Sequence, residues 1–145
     1  MLRQLLVGAA ISVCNIAIHG LVMATVVQLA SRIAGTMGTV RQSLRLNIVM
    51  VAAASIAIVP VLMVAHLSEV MVWSPAYVIV KAAPSGADPV YFAFVNYTTL
   101  GYGDVIPVER WRLLGPITAM NGVLLFGWST AVIFEVLRRT ARRGE

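Results

Sequence analysis

Three long apolar stretches, separated by short segments that hold most of the charge, decide what this chain can fold into. Residues 4–30 are apolar apart from Ser12, Asn15, His19 and Gln28; residues 46–65 are rich in alanine and valine, and residues 113–137 form the last stretch. About 20 apolar residues in a helix cross the roughly 30 Å of hydrocarbon in a bilayer. Such segments span as helices because a helix satisfies its own backbone polar groups where no water can. The expected fold is an all-α membrane protein with three spans. Composition agrees: 59% of the 145 residues are hydrophobic and only 12% charged, against about 25% charged in soluble domains. A cleaved leader has an apolar region of about 7–15 residues. Residues 4–30 exceed that and are read as a retained helix.

The net charge is +5, but the basic residues flank the apolar stretches, which points to lipid headgroups and away from nucleic acid. Residues 31–45 read as a basic cytoplasmic loop with Arg32, Arg41 and Arg45; residues 138–145 read as a basic cytoplasmic tail with Arg138, Arg139, Arg142 and Arg143. The other side then holds Arg3, Lys81, Arg110 and Arg112. This modest excess predicts an outside N-terminus and a cytoplasmic C-terminus. Cys14 is the single cysteine, so no intrachain disulfide or cysteine metal cluster can form; it reads as a small packing residue. No cofactor is expected, and the residues after Leu137 are too few for a separate ligand-binding domain.

Within the second stretch Pro60 is a kink candidate. Beyond it, His66 and Glu69 are spaced to share a helical face near the membrane surface, where they are a slightly better candidate for pH sensing than Asn15 and His19. Trp73 and Tyr77 suit an interfacial belt, and Ser74-Pro75 is a candidate break, with residues 76–81 open between a short helix and a strand. Asn15 and His19, one turn apart, are expected to tether the first helix to its neighbours by hydrogen bonds. Residues 82–88 are turn-like. Asp88 before Pro89 has the form of an N-cap followed by proline at the first helical position. The helix it opens, Pro89 to about Thr98, is too short to span and fits a re-entrant helix enclosed by protein. The negative end of its dipole would favour a cation.

Directly after it comes Thr98-Thr99-Leu100-Gly101-Tyr102-Gly103-Asp104. A strand that holds successive carbonyls on one side can replace an ion's hydration shell. That geometry strains ordinary L-residues, and Gly101 and Gly103 relieve it. Tyr102 is expected to turn its ring back into the surrounding protein. From about 46 to 137 the chain resembles the pore module of the two-helix potassium channel superfamily: outer helix, re-entrant pore helix, selectivity filter, inner helix. Pro107 and Trp111 also fall at the spacing seen in prokaryotic relatives. Residues 1–30 would be an added N-terminal transmembrane helix on a small bacterial variant in the cell inner membrane.

The resemblance implies that the carbonyls of Thr99, Leu100, Gly101 and Tyr102 ring dehydrated K+, with the Thr99 hydroxyl completing the innermost site. Thr98, Gly103, Asp104, Asn96 and Tyr97 would support the filter. Tyr91, Phe92, Phe94 and Tyr97 would form an aromatic cuff with Asn96 bonding toward it. One strand supplies one oxygen per layer, so four chains around an axis are needed, a homotetramer. Two positions depart from the pattern. Val95 stands where some relatives carry a glutamate that bonds toward the aspartate after the filter, leaving Asp104 to find another partner. Leu100 replaces the commoner valine.

In the last span Gly122 and Gly127 suit either a gating bend or close helix packing. One register lines the pore with Leu124, Gly127, Ala131 and Glu135, placing Glu135 at the cytoplasmic mouth unless it pairs with Arg138 or Arg139. The other uses Val123, Phe126, Thr130 and Phe134. No regular arginine series resembles a voltage sensor. The rival readings are a non-selective monovalent cation channel, a non-conducting accessory subunit, and a serine hydrolase built on Ser129 with His66. Against the last, a mid-helix serine is expected to bond its own preceding carbonyl.

Overall fold

The computed structural model describes residues 1–36 and 44–141. It contains four α-helices: α1 (Leu2–Thr36), α2 (Leu44–Val80), the short α3 (Pro89–Tyr97) and α4 (Leu114–Ala141), with a 3-10 turn at Glu109–Trp111 before α4. Among the described residues, the segments Leu2–Arg32, Ala52–Val80 and Glu109–Arg139 are helical, long and apolar enough to cross a membrane. The protein is a multi-pass, all-α membrane protein. Arg41, Arg142 and Arg143 lie outside the described residues, as does the middle of the 31–45 segment. Helix reaches into that segment from both sides, to Thr36 and from Leu44.

α1 and α4 run parallel. Near their starts the Leu113 N–H donates to Gln4 Oε1 at 2.8 Å and Arg3 lies over the Trp111 ring at 5.2 Å. Near their ends Arg139 Nη1 donates to Ser31 Oγ at 3.2 Å. Small residues allow the approach: a Cβ on Gly8 would lie 2.8 Å from the Ile117 side chain, and one on Gly20 would lie 3.3 Å from the Trp128 ring.

α2 corrects three expectations. It continues unbroken through Ser74-Pro75 to Val80, so 76–81 is neither a separate helix nor a strand up to that point. A mid-helix proline costs about 3 kcal/mol, yet Pro75 is exposed while its neighbours Trp73 and Tyr77 are wholly buried. The Trp73 indole N–H donates to Asn121 Oδ1 at 3.1 Å, and the Tyr77 and Thr118 hydroxyls bond at 2.6 Å. Trp73 and Tyr77 are therefore anchors between helices and not a lipid-facing belt. Packing offsets the cost of the proline, and the apolar part of the helix extends from Ala52 to Val80 where the expected stretch stopped at 65.

α2 ends in a Schellman turn: Ala82 N–H bonds the Tyr77 carbonyl at 2.9 Å and Lys81 N–H the Val78 carbonyl at 3.1 Å, with Lys81 at φ 55°. α3 starts as its residues require. Asp88 Oδ1 accepts from the N–H groups of Val90 (2.8 Å) and Tyr91 (3.3 Å), and Pro89 opens the helix. Two apolar clusters form the core. One holds Trp73, Tyr77, Phe92, Tyr97, Trp111 and Leu114; the other holds Met23, Val26, Ile58, Leu62, Val132 and Val136. Between these clusters along the helices lie the buried polar side chains Asn15, His19, Glu69 and Ser129.

Candidate functional site

Thr98 caps α3, its hydroxyl donating to the Phe94 carbonyl at 2.7 Å. The chain then turns tightly: Thr99 N–H reaches the Asn96 carbonyl at 3.1 Å, and Leu100 N–H reaches the Val95 carbonyl at 3.0 Å. From Thr99 onward φ is positive at every second residue: Thr99 at 62°, Gly101 at 52° and Gly103 at 81°. In an ordinary β-strand successive carbonyls point to opposite sides. Alternating left- and right-handed backbone turns bring successive peptide units into line, so a short strand can present a row of oxygens. Left-handed backbone is costly for a β-branched residue such as Thr99; the bond to Asn96 helps hold it there.

Residues Thr98 to Asp104 are all exposed in the single chain. Tyr102 is 70% exposed, its ring uncovered by its own chain. Asp104 has found the partner that Val95 cannot provide: the Tyr91 hydroxyl donates to Asp104 Oδ2 at 2.7 Å. That bond to the Asp104 carboxylate holds the Tyr91 hydroxyl above the usual phenol range, with smaller contributions from burial and charge. Val95 itself is buried.

The expected cuff is only partly present. Asn96 Nδ2 turns back to the Phe92 carbonyl at 2.8 Å, away from the strand, because its side chain is wedged against Gly115, where a Cβ would lie 2.8 Å from Asn96 Oδ1. Phe92 packs against Tyr77 with ring centroids 4.6 Å apart. Tyr97, fully buried, points its hydroxyl to Glu69 on α2. Only Tyr91 reaches the strand by its hydroxyl.

Gly122 and Gly127 of α4 separate cleanly. A Cβ on Gly122 would lie 2.0 Å from the Tyr97 carbonyl oxygen, so this position lets the end of α3 press directly on α4. A Cβ on Gly127 would meet no atom within 4 Å, so no close approach requires glycine there within the single chain. Leu124, Gly127 and Ala131 are exposed, as are Val123, Thr130 and Phe134. Phe126, 37% exposed, leans its ring on His66 at a centroid distance of 4.4 Å. Glu135 is held by Arg138 at 2.7 Å and Arg139 at 2.6 Å, the pairing weighed against a free carboxylate at the mouth.

Behind α3 lies a polar network for which the sequence offered only fragments. Glu69, fully buried, accepts from His19 Nδ1 on α1 at 2.7 Å and from His66 Nδ1 at 3.0 Å. It also accepts from the Tyr97 hydroxyl, which lies 2.9 Å from His66 Nδ1. Asn15 Nδ2 donates to Asn121 Oδ1 at 3.1 Å and reaches the Glu69 carbonyl at 3.4 Å. Ser129 Oγ sits between two imidazoles, 3.0 Å from His66 Nε2 and 3.3 Å from His19 Nε2. Asn15 and His19 tether α1 as expected, to Glu69, Asn121 and Ser129. Two expectations change: Glu69 is buried and His66 half-buried, and Ser129 bonds imidazoles in place of its own helix carbonyl.

Ser129, His66 and Glu69 have the order of a nucleophilic triad, but the surroundings do not suit one. Ser129 lies in the middle of α4, where backbone N–H groups serve the helix and cannot form an oxyanion hole. A second imidazole shares its hydroxyl, and Trp128 and Phe126 lie against the two rings.

The family model described as "Ion channel" matches residues 65–139, just over half of the chain, and the chain belongs to that family. The match takes in the C-terminal part of α2, α3, the 98–104 segment and nearly all of α4. The searches of curated proteins and of solved structures each found no match.

Proposed function

We propose that the protein is the subunit of a homotetrameric, potassium-selective channel in which α3 is the pore helix, residues 98–104 line the ion path and α4 is the inner helix. The observation that carries this reading is the alternation of positive φ at Thr99, Gly101 and Gly103. A capped helix too short to span a bilayer leads into it. The carbonyls of Thr99, Leu100, Gly101 and Tyr102 replace the hydration shell of K+, four chains supplying the oxygens of each layer. An exposed strand with an exposed tyrosine ring fits a surface that neighbouring copies cover. The C-terminal end of α3 lies beside the strand and its dipole favours a cation there. Gly127 is the bend of the inner helix, and Leu124 and Ala131 flank it on the lining face. The N-terminus lies outside and the C-terminus in the cytoplasm of a bacterial inner membrane, the side with more arginines.

Purified protein in proteoliposomes tests this directly. Potassium flux well above sodium flux, blocked by barium, is the expected result. Equal fluxes of the two ions would leave a non-selective cation channel, and no flux from this chain alone would leave an accessory subunit.

A further inference from the structure

We propose that Glu69 is a positioning residue for the ion path: with His19 and His66 it holds one buried proton, and through Tyr97 it fixes the end of α3 from which the 98–104 strand departs. This rests on the channel reading above. It gives α1, which lies outside the matched family segment, a role as part of the filter's support.

The proton count follows from the bonds. Both Nδ1 atoms and the Tyr97 hydroxyl face the Glu69 carboxylate, which as an anion only accepts. Each Nδ1 therefore carries a proton. That leaves the two Nε2 atoms, both directed at Ser129 Oγ. A hydroxyl has one proton to donate and lone pairs to accept. If both imidazoles were neutral, their two Nε2 acceptors would compete for that one proton. With one imidazole protonated, its Nε2–H donates to Ser129, which donates to the other ring. The ring nitrogens of both histidines, the Ser129 hydroxyl and the Glu69 carboxylate are then all paired, and the buried carboxylate is balanced by one cation; Asn15 Oδ1 alone among these side chains has no partner. Removing that proton leaves an unbalanced charge in the interior, and adding a second sets two cations on rings 5.3 Å apart; both are unfavourable there.

All packed elements contribute to this count. His19 and Asn15 come from α1, His66 and Glu69 from α2, Tyr97 from α3, and Ser129 and Asn121 from α4. The His19, His66 and Glu69 donor atoms lie within 4.8 Å of one another, which invites a metal. The His19 Nδ1 to Glu69 distance of 2.7 Å is a hydrogen-bond length, shorter than the roughly 3.3 Å between ligands around tetrahedral zinc. In this arrangement the cluster holds a proton.

The lever onto the strand is short. Tyr97 immediately precedes Thr98-Thr99, its hydroxyl is fixed by Glu69, and its carbonyl presses on Gly122. Losing the bond to Glu69 frees the ring and the last turn of α3 together.

The test uses the full chain in bilayers with two readouts. Nitrogen NMR of 15N-histidine-labelled protein is expected to show one imidazolium per chain near neutral pH, lost in Glu69→Gln. Potassium flux in wild type is expected to change with pH, and to become independent of pH in the double variant His19→Gln/His66→Gln. Tyr97→Phe should keep the imidazolium but lower the potassium-to-sodium ratio about tenfold, the order expected for a lost bond to a buried charge. A pH-independent wild-type flux, or a Glu69→Gln protein with unchanged imidazolium, flux and selectivity, overturns the proposal. If wild type passes no potassium at any pH, the channel reading fails, and with it the positioning role. The NMR signal and its response to Glu69→Gln still decide whether the proton is held.

Discussion

Residues 98–104 and the Glu69 network meet at Tyr97 and are built by opposite rules. The strand is exposed from Thr98 to Asp104, shaped by backbone dihedral angles and by a few bonds back to α3. The network is largely buried and shaped by side chains from all four helices. A surface completed by other subunits can be specified by a few consecutive residues, because its form is mostly local backbone. A support that resists movement needs partners distant in sequence.

That contrast can be broken at its strongest point first. In Gly101→Ala or Gly103→Ala each chain must place a Cβ at φ 52° or 81°, at about 1–2 kcal/mol per copy. Summed over the four chains of the proposed assembly, this should abolish selective potassium flux while thermal unfolding of the helices changes little; retained flux would show that the alternation does not shape the path. Next is Gly122→Ala, whose Cβ would lie 2.0 Å from the Tyr97 carbonyl. Overpacking of this kind costs about 1–3 kcal/mol or more and should lower the melting temperature in detergent. Gly127→Ala, with open space around it, should instead leave stability unchanged or raise it by up to about 1 kcal/mol, and alter opening in single-channel records.

Smaller effects sharpen the picture. Tyr77→Phe removes one buried hydrogen bond to Thr118 and should cost about 1 kcal/mol, seen as a modest drop in melting temperature with flux intact. The smallest effect is Tyr91→Phe. Because the Tyr91 hydroxyl is held above its ordinary range, its contribution is complete below the usual phenol value of about 10 and disappears as pH climbs through the raised one. Any difference between wild type and Tyr91→Phe in filter stability, read as the rate of flux decline, should therefore vanish in strong alkali.

How much was legible follows the same division. Asp88-Pro89, the short helix and the glycine-bearing strand were readable because capping and left-handed backbone are encoded within a few residues. The path of α2 was not. Ser74-Pro75 reads as a break and Trp73 and Tyr77 as lipid-facing aromatics, until Asn121 and Thr118 on α4 supply their hydrogen-bond partners. Only the local halves of the network were visible, Asn15 with His19 and His66 with Glu69. Nothing in the spacing connects His19 to Glu69 or Ser129 to His66. The resemblance points Asn96 and Tyr97 toward the filter, but within one chain their polar groups bond the Phe92 carbonyl and Glu69, partners that no local spacing reveals.

The central claim is that four copies of the 98–104 strand surround one ion path. A structure of the assembled protein with thallium in place of potassium tests it most directly. The account predicts a four-fold axis with anomalous peaks stacked beside the Thr99, Leu100, Gly101 and Tyr102 carbonyls. Strands facing lipid or solvent, or an assembly without that axis, would contradict it.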